Sequence, residues 1–356
     1  MTAAPSRYGA TLDEITSALS EWGEPRYRAE QVWSALHAPH SLDDATALPR
    51  ALRDRLGDAF PLVLTPEVVS ASSDTMTTKW LWSCTAGGAQ VETVLMRSPN
   101  RATVCISSQA GCAMGCTFCA TGQAGFERHL TTGEIVEQVA RAGHTSEQRI
   151  SNVVFMGMGE PLANYDAVWG AVERLHGDFG ISARRITVST VGVVPGMRRL
   201  AAESLPVTLA VSLHAPDDEL RNQLVPLNRR YPIAEVLDAA ADVAGAHGRR
   251  ITFEYACIAG VNDRLDQADA LGALLRSFPG SGGAHVNLIP LNPTAGFTGH
   301  AARHDRLRVF AERLAGKGVT ATIRRNRGTD IDAACGQLRT RVAIPDPPPA
   351  STRMAP

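Results

Sequence analysis

Two kinds of periodicity divide the chain. Up to about residue 60 the apolar positions recur at helical spacing. "TLDE" (Thr11 to Glu14) is a capping box followed by Ile15, Leu19 and Trp22. "YRAEQVWSALH" groups Tyr27, Val32, Trp33 and Leu36, and "SLDDATALPRALRDRL" predicts a third helix. The aromatic residues here are expected to build a small core. Between 62 and 100 the pattern turns to alternation: "TTKWLWSCTAGGAQVETVLMR" flanks "AGGA" and predicts a hairpin, and "SPNR" (Ser98 to Arg101) a turn into the next strand.

From residue 102 onward, strand and helix patterns alternate. The strands predicted are "ATVCISS", "ISNVVFMG", "RRITVST", "VTLAVSLHA", "RRITFEYACI", "AHVNLIPLN" and "VTATIRR". Between them stand helical segments such as "TTGEIVEQVARAGH", "YPIAEVLDAAADVAGAHG", "RLDQADALGALLRSF" and "HDRLRVFAERLAGKG". Repeated strand–helix units imply an α/β fold with a parallel sheet under helices. About six units are too few to close an eight-fold barrel, so a partial (βα)6 barrel is expected, open to a large substrate, with its site at the C-terminal strand ends. The expected organisation is a helical domain at 1–60, a β-hairpin extension at 61–101, the barrel at 102–342 and a Pro-rich, disordered tail, "AIPDPPPASTRMAP", at 343–356.

Composition narrows the class. With 44% hydrophobic and 20% charged residues the chain reads as globular, and it lacks the long apolar run of a membrane span. The opening "MTAAPSRYGATLDE" lacks the layout of a signal peptide, so a cytoplasmic location is expected. There a disulfide framework is disfavoured, and clustered cysteines read as metal ligands or catalysts. A net charge of −1 argues against nonspecific nucleic-acid binding, yet residues 303–341 hold ten Lys or Arg against four Asp or Glu. Only two lysines occur, Lys79 and Lys317. The arginine bias reflects either overall composition or RNA contact, since Arg both pairs with phosphate and stacks on bases.

The densest chemistry is "CISSQAGCAMGCTFCATGQAGF" (105–126), which holds four of the seven cysteines. Cys112, Cys116 and Cys119 form C-x₃-C-x₂-C after the first barrel strand. Zinc commonly takes four ligands from paired C-x₂-C units; Cys105 and His129 are available as a fourth but not at zinc spacing. Three cysteines on a glycine-rich loop can instead hold three irons of a 4Fe–4S cluster and leave the fourth open. Cys84 and Cys257 are expected in the core.

This spacing resembles the signature of the radical S-adenosylmethionine (SAM) superfamily. Phe118 matches its usual aromatic residue, and "MGMGEP" (Met156 to Pro161) resembles its glycine-rich SAM-binding strand end. "GCAMGCTFCATG", "FMGMGEPLANY", "ITVSTVGVVPGM", "SLHAPDDELRNQLVP", "NLIPLNP" and "RGTDIDAACGQL" follow in order through 111–338. Together they resemble the RlmN family, which methylates carbon 2 of adenine in large-subunit (23S) ribosomal RNA and in transfer RNA next to the anticodon. The N-terminal helices fit that family too.

The resemblance implies a role for each motif. Cys112, Cys116 and Cys119 would hold the 4Fe–4S cluster. SAM would be bound by Gly159, Glu160, Ser189, Ser212, Leu213, His214 and Asn292, whose carboxylate, hydroxyls and amide suit its ammonium, ribose and adenine. Carbon 2 of adenine lies between two ring nitrogens and is too electron-poor to attack a methyl cation donor, so a one-electron route is needed, which zinc cannot supply. Cys335 would carry the methyl group as S-methylcysteine, with two SAM consumed per turnover. Cys105 would release the product through a transient disulfide, and either Glu92 or Cys105 would remove the carbon 2 proton. An electron donor such as flavodoxin or ferredoxin, and action as a monomer, are expected. The alternatives are a Cfr-type carbon 8 methyltransferase conferring antibiotic resistance and a zinc-stabilised RNA-binding protein without catalysis.

Overall fold

The computed structural model describes residues 5–279, 283–294 and 296–338, so the tail expected at 343–356 lies outside the described residues. The N-terminal helices are α1 (Leu12–Glu21), α2 (Arg28–Leu36) and α3 (Arg50–Ala59). Thr11 caps α1 with both bonds of the capping box in place, which contributes about 1 kcal/mol. The third predicted helix is broken. Pro49 has no N–H to give and biases Leu48 away from helix, so "SLDDATALPRALRDRL" splits into a 3-10 turn at Leu42–Asp44 and α3, with Pro49 at the cap. Ile15, Leu19, Val32, Leu36, Leu52 and Leu56 form a separate small core, with Trp22 and Trp33 packed at its margin.

The alternating segment forms three strands rather than a lone hairpin: β1 (Leu64–Ala71), β2 (Thr77–Cys84) and β3 (Gln90–Ser98). They pair antiparallel, and β3 continues through the turn at Pro99–Asn100 onto β4 (Arg101–Cys105). The meander is therefore one edge of the main sheet. After β4 come a short ladder of β5 (Gln109–Gly111) and β6 (Phe126–His129), which brackets α4 (Ala120–Ala124), and then α5 (Thr132–His144). The repeating part runs β7 (Ile150–Phe155), α6 (Tyr165–Gly177), β8 (Ile186–Thr190), α7 (Val194–Ala201), β9 (Thr208–Ser212), α8 (Asp218–Leu224), α9 (Ile233–His247), β10 (Ile251–Cys257), α10 (Leu265–Leu275), β11 (Ala284–Pro290), α11 (His304–Gly316) and β12 (Thr320–Ile323). The sheet order is β1-β2-β3-β4-β7-β8-β9-β10-β11-β12, parallel from β4 onward.

The sheet is strongly curled. Laid flat, β3 and β12 would stand about 34 Å apart, seven strand spacings. Yet the Arg327 guanidinium donates to the Arg97 carbonyl at 2.8 Å, only four residues beyond β12, a backbone reach of about 14 Å to which the side chain adds part of the gap. The Asp330 carboxylate likewise accepts from the Ser73 N–H at 2.8 Å. The segment after β12 thus bridges the two sides of an open barrel.

The strands alternate apolar and polar. Phe155, Val188, Val211, Phe253, Tyr255 and Leu288 belong to the main core under the helices. The opposite, concave face carries polar residues: Ser189, Ser212, Glu254 and Asn287, with Glu254 opposite both Ser212 and Asn287 in register. The Asn287 amide donates to the Glu254 carboxylate at 2.8 Å. The lumen side of the sheet is thus polar inside an apolar jacket.

Candidate active site at the barrel mouth

The cysteine loop leaves the C-terminal end of β4 and is held by backbone on several sides. The Cys112 N–H donates to the Gly125 carbonyl at 2.7 Å, and the Thr117 N–H to the Leu224 carbonyl at 3.0 Å. Cys116 and Phe118 pack with Leu224, Val225, Ile258 and Leu291. Burial pushes the Cys112 thiol up to about 12, with Glu160 and Cys119 acting in the same direction. Burial also holds the Cys116 thiol well above its ordinary range, with Cys119, Cys112 and Glu160 adding and Arg221 opposing. The three cysteines and Glu160 are thus electrostatic neighbours.

This donor set fits a redox cluster. Cys112 and Cys116, so deprived of water, need an electron-accepting metal centre to take the charge of their thiolates. Among the described residues no three His, Cys, Asp or Glu side chains converge tightly enough to hold a single metal ion. A cluster, which offers each thiolate its own iron, requires no such convergence. His129, a conceivable fourth ligand, has Nδ1 engaged by the Gln109 amide at 3.0 Å.

The neighbouring strand ends surround this loop. The ends of β4 and β7 lie backbone to backbone: the Gly157 N–H reaches the Ile106 carbonyl at 3.1 Å and the Ser108 N–H the Met158 carbonyl at 2.8 Å. A side chain at Gly159 would sit 2.6 Å from Gln109 Cβ, and its φ of +100° is open to glycine alone. Glu160 is buried, and burial raises its carboxyl to about 7. Its two oxygens accept from the Leu162 N–H (3.0 Å) and the Val191 N–H (2.9 Å), leaving lone pairs for a cation such as an ammonium. The Ser189 hydroxyl donates to the Phe155 carbonyl at 2.5 Å. Ser212 ends β9 and Leu213 follows it, with the Leu213 N–H donating to the Glu254 carbonyl at 3.0 Å.

His214 follows with a positive φ of 61° and is buried, T-shaped to Phe118 at 4.8 Å. Burial, then Arg221, lowers its imidazole to about 3, so it is neutral. Its Nδ1 accepts from the Ala256 N–H at 3.0 Å, which assigns the proton to Nε2 and makes that nitrogen a donor. Asn262 fixes the turn by donating to the His214 carbonyl at 2.8 Å and the Ala256 carbonyl at 2.7 Å.

Cys335 lies on the segment that crosses the mouth after β12. Asn292, grouped above with the SAM contacts, donates through Nδ2 to the Cys335 carbonyl at 2.8 Å, and its Oδ1 accepts from Asn326 at 2.6 Å. The Gly336 carbonyl accepts from the Ala120 N–H (2.9 Å) and the Leu338 carbonyl from the Thr121 hydroxyl (2.6 Å), which ties the segment to α4 beside Cys119. Cys335 is exposed, yet desolvation by the surrounding walls raises its thiol, with Glu254 and Cys119 adding and Arg324 opposing. It therefore faces a walled cleft rather than the outer surface.

Cys105 is the buried last residue of β4, and both it and Cys335 are free thiols. Burial pushes the Cys105 thiol up, and the charge of Cys335 adds to the shift; Lys79, in one cross-strand row with Cys105, reaches the Asp332 carbonyl three residues before Cys335, which brings both thiols to one side of the mouth. Lys79, Val94 and Cys105 form one cross-strand row, and Glu92, two residues from Val94, shares its face. The Lys79 ammonium pairs with the Glu92 carboxylate at 3.2 Å and reaches the Asp332 carbonyl at 3.3 Å. Cys84 and Cys257 are buried in the core.

Sequence reasoning did not single out Arg221 or the Glu254–Asn287 pair. Arg221 stands inside the quoted "SLHAPDDELRNQLVP", where Asp217, Asp218 and Glu219 just before it leave no local signal that sets it apart. Glu254 was legible as a lone acidic residue within "ITFEYACI".

A redox cluster seated at the mouth of an open strand–helix barrel is how radical SAM enzymes are built, and residues 106–269 match the model of the Radical SAM superfamily. A solved radical SAM methyltransferase from Sphaerobacter thermophilus superposes with a TM-score of 0.86 at 47% identity, covering 94% of this chain and 99% of that one. Among curated relatives, the "Probable dual-specificity RNA methyltransferase RlmN" of Parafrankia sp. is 52% identical over 94% of this chain and 92% of its own length. That of Corynebacterium diphtheriae is 51% identical over 94% of each. The chain belongs to the RlmN family and is a SAM-dependent RNA methyltransferase of the radical SAM superfamily.

Proposed function

We propose that the protein methylates carbon 2 of adenine in large-subunit ribosomal RNA and in transfer RNA, through a methyl group carried on Cys335 and released with the help of Cys105. The observation that carries this reading is the meeting of two free thiols, 230 positions apart in sequence, beside the cysteine loop. Cys112, Cys116 and Cys119 would hold the cluster, and Gly159, Glu160, Ser189, Ser212, Leu213, His214 and Asn292 would frame SAM. When bound, these cofactors supply the one-electron chemistry that carbon 2 requires, with two SAM used per turnover.

The chain's own residues do the rest. Glu160 offers unspent lone pairs to an ammonium, and neutral His214 offers its Nε2–H. Arg324 favours the Cys335 thiolate that accepts the first methyl group. Asn292 works through the Cys335 carbonyl, holding that sulfur over the lumen. Once carbon 2 is bonded to the Cys335 methylene, its proton leaves to Glu92 or Cys105, and the one unpaired electron would be taken back by the bound cofactors, leaving a closed-shell thioether. The Cys105 sulfur then attacks the Cys335 sulfur. A sulfur–sulfur bond forms, the sulfur–carbon bond breaks, and its electron pair stays with carbon and takes a proton to complete the methyl group. The two cysteines are oxidised, and a thiol reductant resets them. The helices of residues 5–60 would help to grip RNA, a flavodoxin or ferredoxin would deliver electrons, and a monomer in the cytoplasm would suffice.

Nucleoside mass spectrometry of ribosomal and transfer RNA from a deletion strain tests the reading. Loss of 2-methyladenosine from both pools, restored by the intact gene, is expected. Loss of 8-methyladenosine with 2-methyladenosine retained would overturn it in favour of the Cfr-type reaction.

A further inference from the structure

Arg221 is fully buried, on α8 against the cysteine loop. Its guanidinium spends its donors on neutral acceptors: the Leu213 carbonyl (3.0 Å), the Ser212 carbonyl (3.1 Å), the Val191 carbonyl (2.7 Å) and the Asn228 side-chain oxygen (2.6 Å). Among the described residues no carboxylate is paired with it. The nearest acidic group, Asp218, is exposed and accepts from Asn228 at 2.9 Å instead, so water screens its charge. The helix is tied to the cysteine loop: the Thr117 N–H donates to the Leu224 carbonyl at 3.0 Å, and Val191, whose carbonyl Arg221 holds, packs with Cys116. Burial lowers Arg221 only to about 10, so it is charged at neutral pH.

A desolvated cation without a paired anion is expensive and acts strongly on nearby charge. If its task were only to join the ends of β8 and β9, a neutral amide could serve without that cost. Reduction of an iron–sulfur cluster adds one negative charge to the volume that Arg221 adjoins, and net charge and burial are main determinants of cluster potential. We propose that Arg221 is the fixed countercharge of the cluster, raising its reduction potential so that the electron from the donor protein is held where SAM binds. This rests on the reading of Cys112, Cys116 and Cys119 as cluster ligands.

The test is a mediated redox titration of the anaerobically reconstituted, full-length protein, followed by electron paramagnetic resonance, with iron content measured first. Arg221→Gln removes the charge; Arg221→Lys keeps it and loses most of the hydrogen bonds. The double variant Asp218→Asn/Asn228→Asp leaves Arg221 in place and moves a carboxylate onto its guanidinium, while Asn222 can rotate its amide to donate. Arg221→Gln and the double variant should each leave about tenfold less reduced cluster at a fixed potential, a midpoint lower by ~59 mV for one electron. Arg221→Lys should stay within about threefold of wild type. Wild-type midpoints in all three would overturn the inference. So would equal falls in Arg221→Gln and Arg221→Lys with an unchanged double variant, which mark a purely structural tie. Should Arg221→Gln fail to retain iron, the double variant decides alone. A wild-type protein without an iron–sulfur signal would instead sink the ligand reading beneath it.

Discussion

Cys105 and Cys335 differ in what surrounds them, and that difference sets their chemistry. Burial raises both thiols, but at Cys335, which is exposed to the cleft, Arg324 opposes the shift, whereas at buried Cys105 no cation among the described residues does. A thiol in that state is a poor nucleophile until something draws near to deprotonate or align it, which suits a residue needed only at the last step. Removing each should therefore leave different products. Cys335→Ala should yield neither methylated protein nor RNA adduct. Cys105→Ala should stall with RNA attached to Cys335 through a methylene, and the purified protein should carry that nucleotide on its Cys335 peptide in tryptic mass spectrometry. Normal turnover by Cys105→Ala, or an adduct in both variants, would remove the two-thiol release.

At the scale of elements, α5 shows how the scaffold depends on groups kept neutral. His144 closes that helix, half-buried, with no hydrogen-bond partner for Nε2 among the described residues. Burial lowers its imidazole to about 4, Arg141, His40 and Arg7 acting in the same direction and Asp44 against. Between the ordinary histidine value of ~6.5 and about 4 the unfolded chain takes up a proton that the folded chain refuses. The associated stability is present above pH ~6.5 and is lost as pH falls through that window. His144→Gln cannot titrate. Urea unfolding at about pH 7.5 and about pH 5.5 should show wild type losing roughly 1 kcal/mol more than the variant, the value reduced for partial exposure. Equal losses would place the acid-sensitive group elsewhere.

For the whole molecule the open question is how RNA reaches a site at the barrel mouth. Arg324 and Arg325 are exposed where β12 ends, and Arg327 is tied to the Arg97 carbonyl beside them. They form a basic rim around the cleft that holds Cys335. If Arg324 and Arg325 each neutralise one phosphate, Arg324→Ala/Arg325→Ala should flatten the slope of log affinity against log salt by ~1.4 for single-stranded RNA. Filter-binding at several salt concentrations measures this directly. An unchanged slope would assign both arginines to folding, or, for Arg324, solely to the field at Cys335 and Glu254.

Much of this protein was legible without coordinates because its information is local. Cys112, Cys116 and Cys119 are close in sequence, so one loop must deliver all three whatever the rest of the chain does. The alternation of strand and helix patterns from 102 onward likewise follows from side-chain periodicity, and it yields a barrel jacketed by helices. Other features depend on contacts that no local pattern encodes. That β3 continues onto β4, making the meander part of the barrel sheet, is settled by pairing register. That Cys335 meets Cys105, and that the Asn292 amide is spent on the Cys335 carbonyl, follows from the curl of ten strands, a sum of small twists that brings the segment after β12 back to β3. Arg221 is the plainest case. Its sequence neighbours are the acidic and polar residues of an ordinary helix surface, and only the tertiary structure removes it from water and sets its charge beside Cys116.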